Sequence, residues 1–166
     1  MEIGVTIRCA AWRTALPDAR RVTRKAVLAA LALTPEPGNG ELAVVLADDA
    51  MVRALNADYR GIDKATNVLA FAYRDCEPPA APLAGDALGD VVISLERTAD
   101  EAEKTGRSLH EHLSHLVIHG VLHLLGYEHG TDGDAETMEE LEIRALAGIG
   151  IASPYTSPGA VNNDER

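Results

Sequence analysis

The segment from Ser108 to Gly126 carries both a helix start signal and a helix stop signal, and it constrains the fold more than any other part of the chain. Ser108 and Glu111 match a capping box, in which the serine oxygen and the glutamate satisfy free N–H groups of the first turn. Gly126 is the residue type best suited to a left-handed helix C-cap. The pattern therefore predicts a helix that begins after Ser108, runs to Leu125 and stops at Gly126.

Strand and helix patterns alternate around this segment. Strands are predicted at residues 3–7, 42–46, 67–71 and 88–94, and other helices at residues 22–33, 96–104 and 134–147. A further helix is predicted after a cap at Asp48 or Asp49, with Val52, Leu55 and Tyr59 on its apolar side. The stretch 76–85 is rich in Pro and Ala and is predicted to be a surface loop. This order predicts a small α/β (α+β) domain over residues 1–152, with a mixed sheet of about four strands and about five helices, followed by a disordered tail at 153–166.

Composition limits the class of protein and its compartment. The 166 residues favour a single domain. The chain has no apolar run of the roughly 20 residues that cross a bilayer and opens on no signal peptide. Cys9 and Cys76 lie far apart and form no C-x-x-C pair, which fits a reducing compartment. We therefore expect a cytoplasmic protein without a disulfide framework.

Charge and aromatic content do not by themselves favour nucleic acid as a partner. With 15 basic and 26 acidic residues, the net charge is −11, and an acidic chain repels RNA at long range. Aromatic residues make up only 4% of the chain and do not alternate with basic ones, so no base-stacking platform is expected. An RNA-directed function would have to depend on a local site.

The histidines are concentrated in one region, since all six lie between residues 110 and 129. His119 and His123 are four residues apart, so they project from one face of the predicted helix. His129 follows just past Gly126, where the chain can turn back toward that face. Three imidazoles around one ion, with a fourth position open to water, are typical of catalytic zinc.

His115 offers a different set of three ligands. His115 and His123 are separated by roughly 12 Å along the helix axis, too far to share an ion at bonds of roughly 2.1 Å. The ligands are therefore either His115, His119 and one other residue, or His119, His123 and His129, and the turn at the glycine favours the second set. In that case His115 lies behind the ligands or in the core, and His110 and His112 are predicted to be exposed.

The residue after the first histidine separates this site from a peptidase. The spacing matches the metzincin pattern H-E-x-x-H-x-x-G-x-x-H, but Gly120 replaces the glutamate that acts as the base. Phosphodiester hydrolysis instead needs an activated water and a cation that stabilises developing charge. Arg60, at a helix end before Gly61, is a candidate, although such an arginine is more often a helix-dipole partner. Glu128 could orient a ligand imidazole or be a solvated turn residue.

Residues 119–129, H-G-V-L-H-L-L-G-Y-E-H, closely resemble the H-G-x-L-H-L-x-G-Y-D-H signature of the YbeY-type endoribonucleases, the bacterial rRNA maturation factors. Residues 55–63 and 66–71 resemble that family's L-N-x-x-Y-R-x-x-D and T-D-V-L-S-F motifs, and residues 88–94 resemble its central strand. The likeness covers nearly the whole chain except the tail. The departures are Glu128 and Asn67 where the family has Asp, and Ala70 where it has Ser.

The resemblance implies a single-strand-directed, metal-dependent endoribonuclease acting in 16S rRNA 3′-end maturation and ribosome quality control, in which a zinc-bound water attacks the phosphodiester. It implies a fold distantly like the zinc peptidases, one zinc ion held by His119, His123 and His129, and a functional arginine at Arg60. The implied partners are the rRNA of the small ribosomal subunit, ribosomal protein S11 and the GTPase Era. Two other functions stay open: a metallopeptidase, which Gly120 disfavours, and a ribosome assembly factor that uses zinc only for stability.

Overall fold

The computed structural model describes residues 2–34, 41–72, 88–127 and 130–155. Within these ranges the chain forms four strands and six helices, in agreement with the predicted mixed α/β class. The predicted loop at 76–85, the pair Glu128 and His129, and residues 156–166 of the predicted tail lie outside them. The elements in order are β1 (Glu2–Ile7), α1 (Ala11–Ala15), α2 (Ala19–Ala32), β2 (Glu41–Ala47), α3 (Asp49–Arg60), β3 (Val68–Ala72), β4 (Gly89–Ser94), α4 (Leu95–Thr105), α5 (Leu109–Leu124) and α6 (Asp132–Gly148).

The strands form one mixed sheet in the order β1-β2-β4-β3. β1, β2 and β4 are parallel, with Val5 opposite Val44 and Val44 opposite Val91. β3 runs antiparallel to β4, with Ala70 opposite Val91. Within the described ranges β3 pairs only with β4, so it is the outermost strand of the sheet there.

The two faces of the sheet pack against different helices. The larger core joins β1, β2 and β4 to α2, α5 and α6. The smaller core lies on the opposite face, where α3 packs on the sheet, and its buried residues are Ala47, Val52, Leu69 and Val92. The short helix α1 was not predicted, and it is held in place by Trp12, which is fully buried and donates from Nε1 to the carbonyl of Ala47 at 2.8 Å.

Helix α5 begins and ends as predicted. Ser108 and Glu111 form the capping box, with both hydrogen bonds at 3.0 Å. Gly126 has a φ of 105°, which favours glycine, and its N–H bonds to the carbonyl of His123. The N–H of Tyr127 bonds to the carbonyl of Leu122, which completes a Schellman motif. The chain therefore turns sharply about one helical turn after His123, between the second and the third predicted metal ligand.

None of the helices in the described ranges is both long enough and apolar enough to span a bilayer. The final helix α6 begins at Asp132, two residues earlier than the predicted start at Asp134, and its cap residue is Thr131. The Thr131 hydroxyl accepts a hydrogen bond from the Asp134 N–H at 3.1 Å.

Candidate metal centre

Helix α5 lies very close to the sheet at Gly120. A β-carbon at this position would be 2.7 Å from Cγ1 of Val91 and 3.4 Å from Cγ2 of Val68. Position 120 therefore faces β4 and β3 rather than the histidine side of the helix. A glutamate here would both clash with the sheet and point away from its neighbouring histidine, so the missing base of the peptidase pattern has a structural cause.

His119 and His123 approach each other as two ligands of one ion would. Their Nε2 atoms are 3.2 Å apart, and their rings meet edge to face. Two nitrogens bound at about 2.1 Å to a tetrahedral ion are about 3.4 Å apart, so the observed separation is close to that geometry. The structure thus brings together two of the predicted ligands.

Glu142 of α6 holds the other side of the His119 ring. Its Oε2 bonds to Nδ1 of His119, and its side chain is only 1% exposed. Burial alone would raise the pKa of Glu142, but the hydrogen bonds from His115 and His119 lower that pKa to about 2. An ionised carboxylate only accepts, so Nδ1 of His119 carries a proton, and in the neutral ring this leaves Nε2 with the lone pair that a metal ligand needs.

His115 bonds to the same carboxylate and is not placed as a ligand. Its Nε2 is 2.8 Å from Oε1 of Glu142, so the nitrogen that would bind an ion is already used. Tyr155 also donates from its hydroxyl to Oε1 of Glu142, and its ring packs edge to face on His115. This arrangement favours His119 and His123 over the set that contains His115. It also shows that Tyr155, at the start of the predicted tail, contacts α5 and α6.

The third predicted ligand, His129, and its neighbour Glu128 lie outside the described residues. Among the residues the structure does describe, no three His, Cys, Asp or Glu side chains surround a common ion. The pair His119 and His123 therefore carries the structural case for a metal, and the assignment of His129 stays a prediction.

A second buried histidine–carboxylate pair lies near the start of α5. His112 was predicted to be exposed, and that prediction is wrong: it is 8% exposed and bonds from Nε2 to Oε1 of Glu101 at 2.8 Å. The same carboxylate accepts from the amide of Asn67 at 3.1 Å. Burial lowers the pKa of His112, and the hydrogen bond to Glu101 opposes this. Glu101 thus ties the start of β3 to α4 and α5. His110 is exposed, as predicted.

Arg60 lies at the outer side of β3, away from β4. It is the last residue of α3, and its Nη2 donates to the carbonyl of Ala70 at 3.0 Å. Because Asn67 accepts from the N–H of Ser94 on β4, alternation along the antiparallel ladder turns the carbonyl of Ala70 outward. The guanidinium also lies 5.5 Å from the centroid of the Phe71 ring. Arg60 therefore approaches the edge from the α3 face, whereas His119 and His123 belong to the helix on the other face.

Glu142 is the site residue that the sequence interpretation missed. It belongs to the buried stripe of α6, with Met138 one turn before it and Leu146 one turn after it. A carboxylate in an apolar helical stripe is rarely buried without a partner, so the position of Glu142 in the sequence already indicated a buried carboxylate with a polar partner.

Comparison with known proteins agrees with this architecture. Residues 7–150 match the Endoribonuclease YbeY family. The chain belongs to this family. Its YbeY relatives include one from Paramagnetospirillum magneticum, 51% identical over 93% of this chain and 96% of the relative. Another, from Rhodopseudomonas palustris strain BisA53, is 44% identical over 98% of this chain and 94% of the relative. Both are named Endoribonuclease YbeY.

The fold also resembles a solved structure. The chain superposes on the solution structure of TM1509 from Thermotoga maritima with a TM-score of 0.51, covering 95% of this chain and 99% of the other. The two sequences are 20% identical, so this likeness concerns the fold alone. The YbeY assignment itself rests on the family match and on the relatives at higher identity.

Proposed function

We propose that this chain is a zinc-dependent endoribonuclease that cuts single-stranded RNA and acts in 16S rRNA 3′-end maturation and ribosome quality control. The observation that carries the proposal is the His119–His123 pair, whose Nε2 atoms are 3.2 Å apart while Glu142 occupies Nδ1 of His119. Membership of the Endoribonuclease YbeY family supplies the reaction class.

His119, His123 and His129 would hold the zinc ion. When bound, zinc is a Lewis acid that lowers the pKa of a coordinated water and polarises a phosphoryl oxygen. Glu142 keeps His119 in the tautomer that can bind metal and fixes the direction of its ring. His115 and Tyr155 in turn hold Oε1 of Glu142, so the carboxylate is fixed at both oxygens.

Arg60 would bind a phosphate oxygen of the substrate and stabilise the negative charge that develops at phosphorus. Within the described ranges its one hydrogen bond is to Ala70, so its remaining N–H groups are available to a ligand. A substrate that reached both Arg60 and the histidines would have to pass around the outer side of β3, because these groups approach the sheet from opposite faces. Single-stranded RNA is thin and flexible enough to follow such a path.

The acidic net charge of −11 makes weak binding to free RNA an expectation of the proposal. We infer that partners at the small ribosomal subunit, with ribosomal protein S11 and the GTPase Era as candidates, supply the targeting. Affinity for naked single-stranded RNA should fall steeply as salt rises. Addition of a true partner should reduce that dependence.

Metal analysis and RNA cleavage with the same purified full chain test the proposal. Wild type should contain one zinc per chain and cut a labelled single-stranded fragment from the 3′ end of precursor 16S rRNA. His123→Ala should lose both zinc and cleavage, whereas His110→Ala, an exposed histidine on the same helix, should keep both. Arg60→Ala should keep zinc and lose cleavage.

Two results would contradict the proposal in different ways. Stoichiometric zinc without any RNA cleavage, in wild type and in Arg60→Ala alike, would favour the assembly factor that uses zinc only for stability. Cleavage that survives in His123→Ala after removal of metal would exclude the zinc mechanism.

A further inference from the structure

Three side chains form an aromatic and cationic cluster at the outer side of β3, in which Tyr59 and Arg60 are exposed and Phe71 is partly buried. Tyr59 and Arg60 end helix α3, and Phe71 lies on β3. The rings of Tyr59 and Phe71 meet edge to face with centroids 5.6 Å apart, and the Arg60 guanidinium lies 5.5 Å from the Phe71 centroid. Although aromatic residues are scarce in the sequence, the fold gathers two of them around one arginine.

Tyr59 is unusually exposed for a large aromatic residue. It is 71% exposed, and Ile62 beside it is 49% exposed. Its contact with Phe71 is edge to face, and among the described residues no other ring contacts it. An exposed large ring next to a fixed cation has no role in the core and is available to a ligand.

We propose that Tyr59, with Arg60 and Phe71, forms a subsite for one unpaired nucleobase of single-stranded RNA. This inference rests on the proposed function and deepens it, because it names a contact that would select unpaired RNA. Unstacked bases bind aromatic rings and guanidinium planes, which a base in a duplex cannot reach. Arg60 adds a positive charge for the adjoining phosphate, and its bond to Ala70 fixes that charge in place.

The location also fits a nuclease. Ala70, which accepts from Arg60, is opposite Val91, and the Val91 side chain lies against Gly120 next to His119. The cluster and the metal helix therefore lie on opposite faces of the same pair of strands, β3 and β4. The rings of Tyr59 and Phe71 would position the strand, whereas Arg60 is the member of the subsite that also acts on the phosphate.

Binding of a fluorescent, 2′-O-methylated single-stranded oligonucleotide to the zinc-loaded full chain tests the subsite, with gel analysis to show that the probe stays intact during the measurement. Tyr59→Ala should weaken binding roughly tenfold, since base–aromatic stacking is lost. Tyr59→Phe and Tyr59→Trp should stay within about twofold, because each keeps a ring face. Leu28→Ala is the matched control, as Leu28 is a 54% exposed apolar residue on α2, and it should change nothing.

An abasic nucleotide moved stepwise along the probe adds a test that a structural defect cannot imitate. At one position the loss of the base and Tyr59→Ala should be non-additive, because both remove the same stack. Additive losses at every position, or unchanged affinity of Tyr59→Ala, would overturn the subsite while wild-type binding and cleavage left the proposed function standing. If wild type neither bound nor cut single-stranded RNA, the proposed function itself would fail.

Discussion

Two histidines of α5 are paired with carboxylates from neighbouring helices, and the two pairs use different ring nitrogens. His112 bonds to Glu101 of α4 through Nε2. His119 bonds to Glu142 of α6 through Nδ1. Sequence alone does not distinguish these two pairs, since both histidines lie on one helix and both carboxylates on helices.

The ring nitrogen that bonds to the carboxylate distinguishes the two pairs: it makes His112–Glu101 a structural pair and leaves His119–Glu142 suited to holding a metal ligand. In His112 the remaining nitrogen, Nδ1, is buried and has no hydrogen-bond partner in the described part of the chain. In His119 the remaining nitrogen, Nε2, faces Nε2 of His123. A metal ion needs lone pairs that converge on one point, and the pair with Glu142 provides this whereas the pair with Glu101 does not.

Replacing each carboxylate by its amide gives the largest expected difference. Glu142→Gln should weaken zinc binding by roughly 10–100-fold, because an amide satisfies His115 and His119 less well and no longer enforces the ligand tautomer. Glu101→Gln should leave zinc affinity within about twofold, since its histidine is not a ligand. Competition with a chromophoric chelator measures both, and equal losses in the two variants would contradict the distinction.

The close packing under His119 offers a second test. Gly120→Ala would place a methyl group 2.7 Å from Cγ1 of Val91. It should lower the free energy of unfolding by about 1–3 kcal/mol, because the helix must move away from the sheet. Gly133→Ala is the control: Gly133 lies in α6 with nothing within 4 Å, so an alanine there should not destabilise. Denaturant unfolding with zinc chelated measures both variants. An unchanged free energy of unfolding for Gly120→Ala would show that α5 is not closely packed on the sheet at this position.

Much of this fold could be predicted from the sequence, because caps and helix periodicity depend on residues that are close together in the chain. The capping box at Ser108 and the C-cap at Gly126 depend on neighbouring backbone groups only, and the structure has both. His119 and His123 are joined by helix periodicity, which is also local. Glu142, 23 residues from His119, is brought to it by the packing of α6 on α5, and no local pattern encodes that contact.

The error at His112 has the same origin. A polar residue near a helix start is usually solvated, but α4 packs against this turn and supplies Glu101. The aromatic cluster was missed because Tyr59 and Phe71 meet only after β3 joins the sheet. Pairwise contacts between distant segments are therefore the part of the site that composition and spacing do not reveal.

Asn67 provides a smaller test of the structural pair, since its amide donates to Glu101 at 3.1 Å. Asn67→Asp should lower the free energy of unfolding by about 1–2 kcal/mol at neutral pH, because a donor is lost and two carboxylates meet. Repulsion raises the pKa of one carboxyl in the folded state, so the deficit should shrink as pH falls. Asn67→Ala lacks the second charge, and its deficit should not depend on pH in this way. Identical pH profiles for the two variants would argue against contact with Glu101.

The smallest expected effect concerns the pH dependence of folding. Burial is the main cause that lowers the pKa of His112, with a further contribution from His115 and Arg107, and Glu101 acts in the opposite direction. The unfolded chain therefore binds a proton at this position more readily than the folded chain. Stability contributed by neutral His112 is complete above the ordinary pKa of 6.5 and is lost as pH falls below it.

His112→Gln isolates this contribution, because glutamine can donate to Glu101 but does not titrate. Between pH 8 and pH 5 the variant should lose less unfolding free energy than wild type when both are measured with zinc chelated. Chelation matters, since protons compete with metal for histidine and would otherwise mask a small difference. A steeper loss in the variant would mean that His112 is stabilised as the cation by Glu101, and the two pairs on α5 would then be more alike than their ring nitrogens indicate.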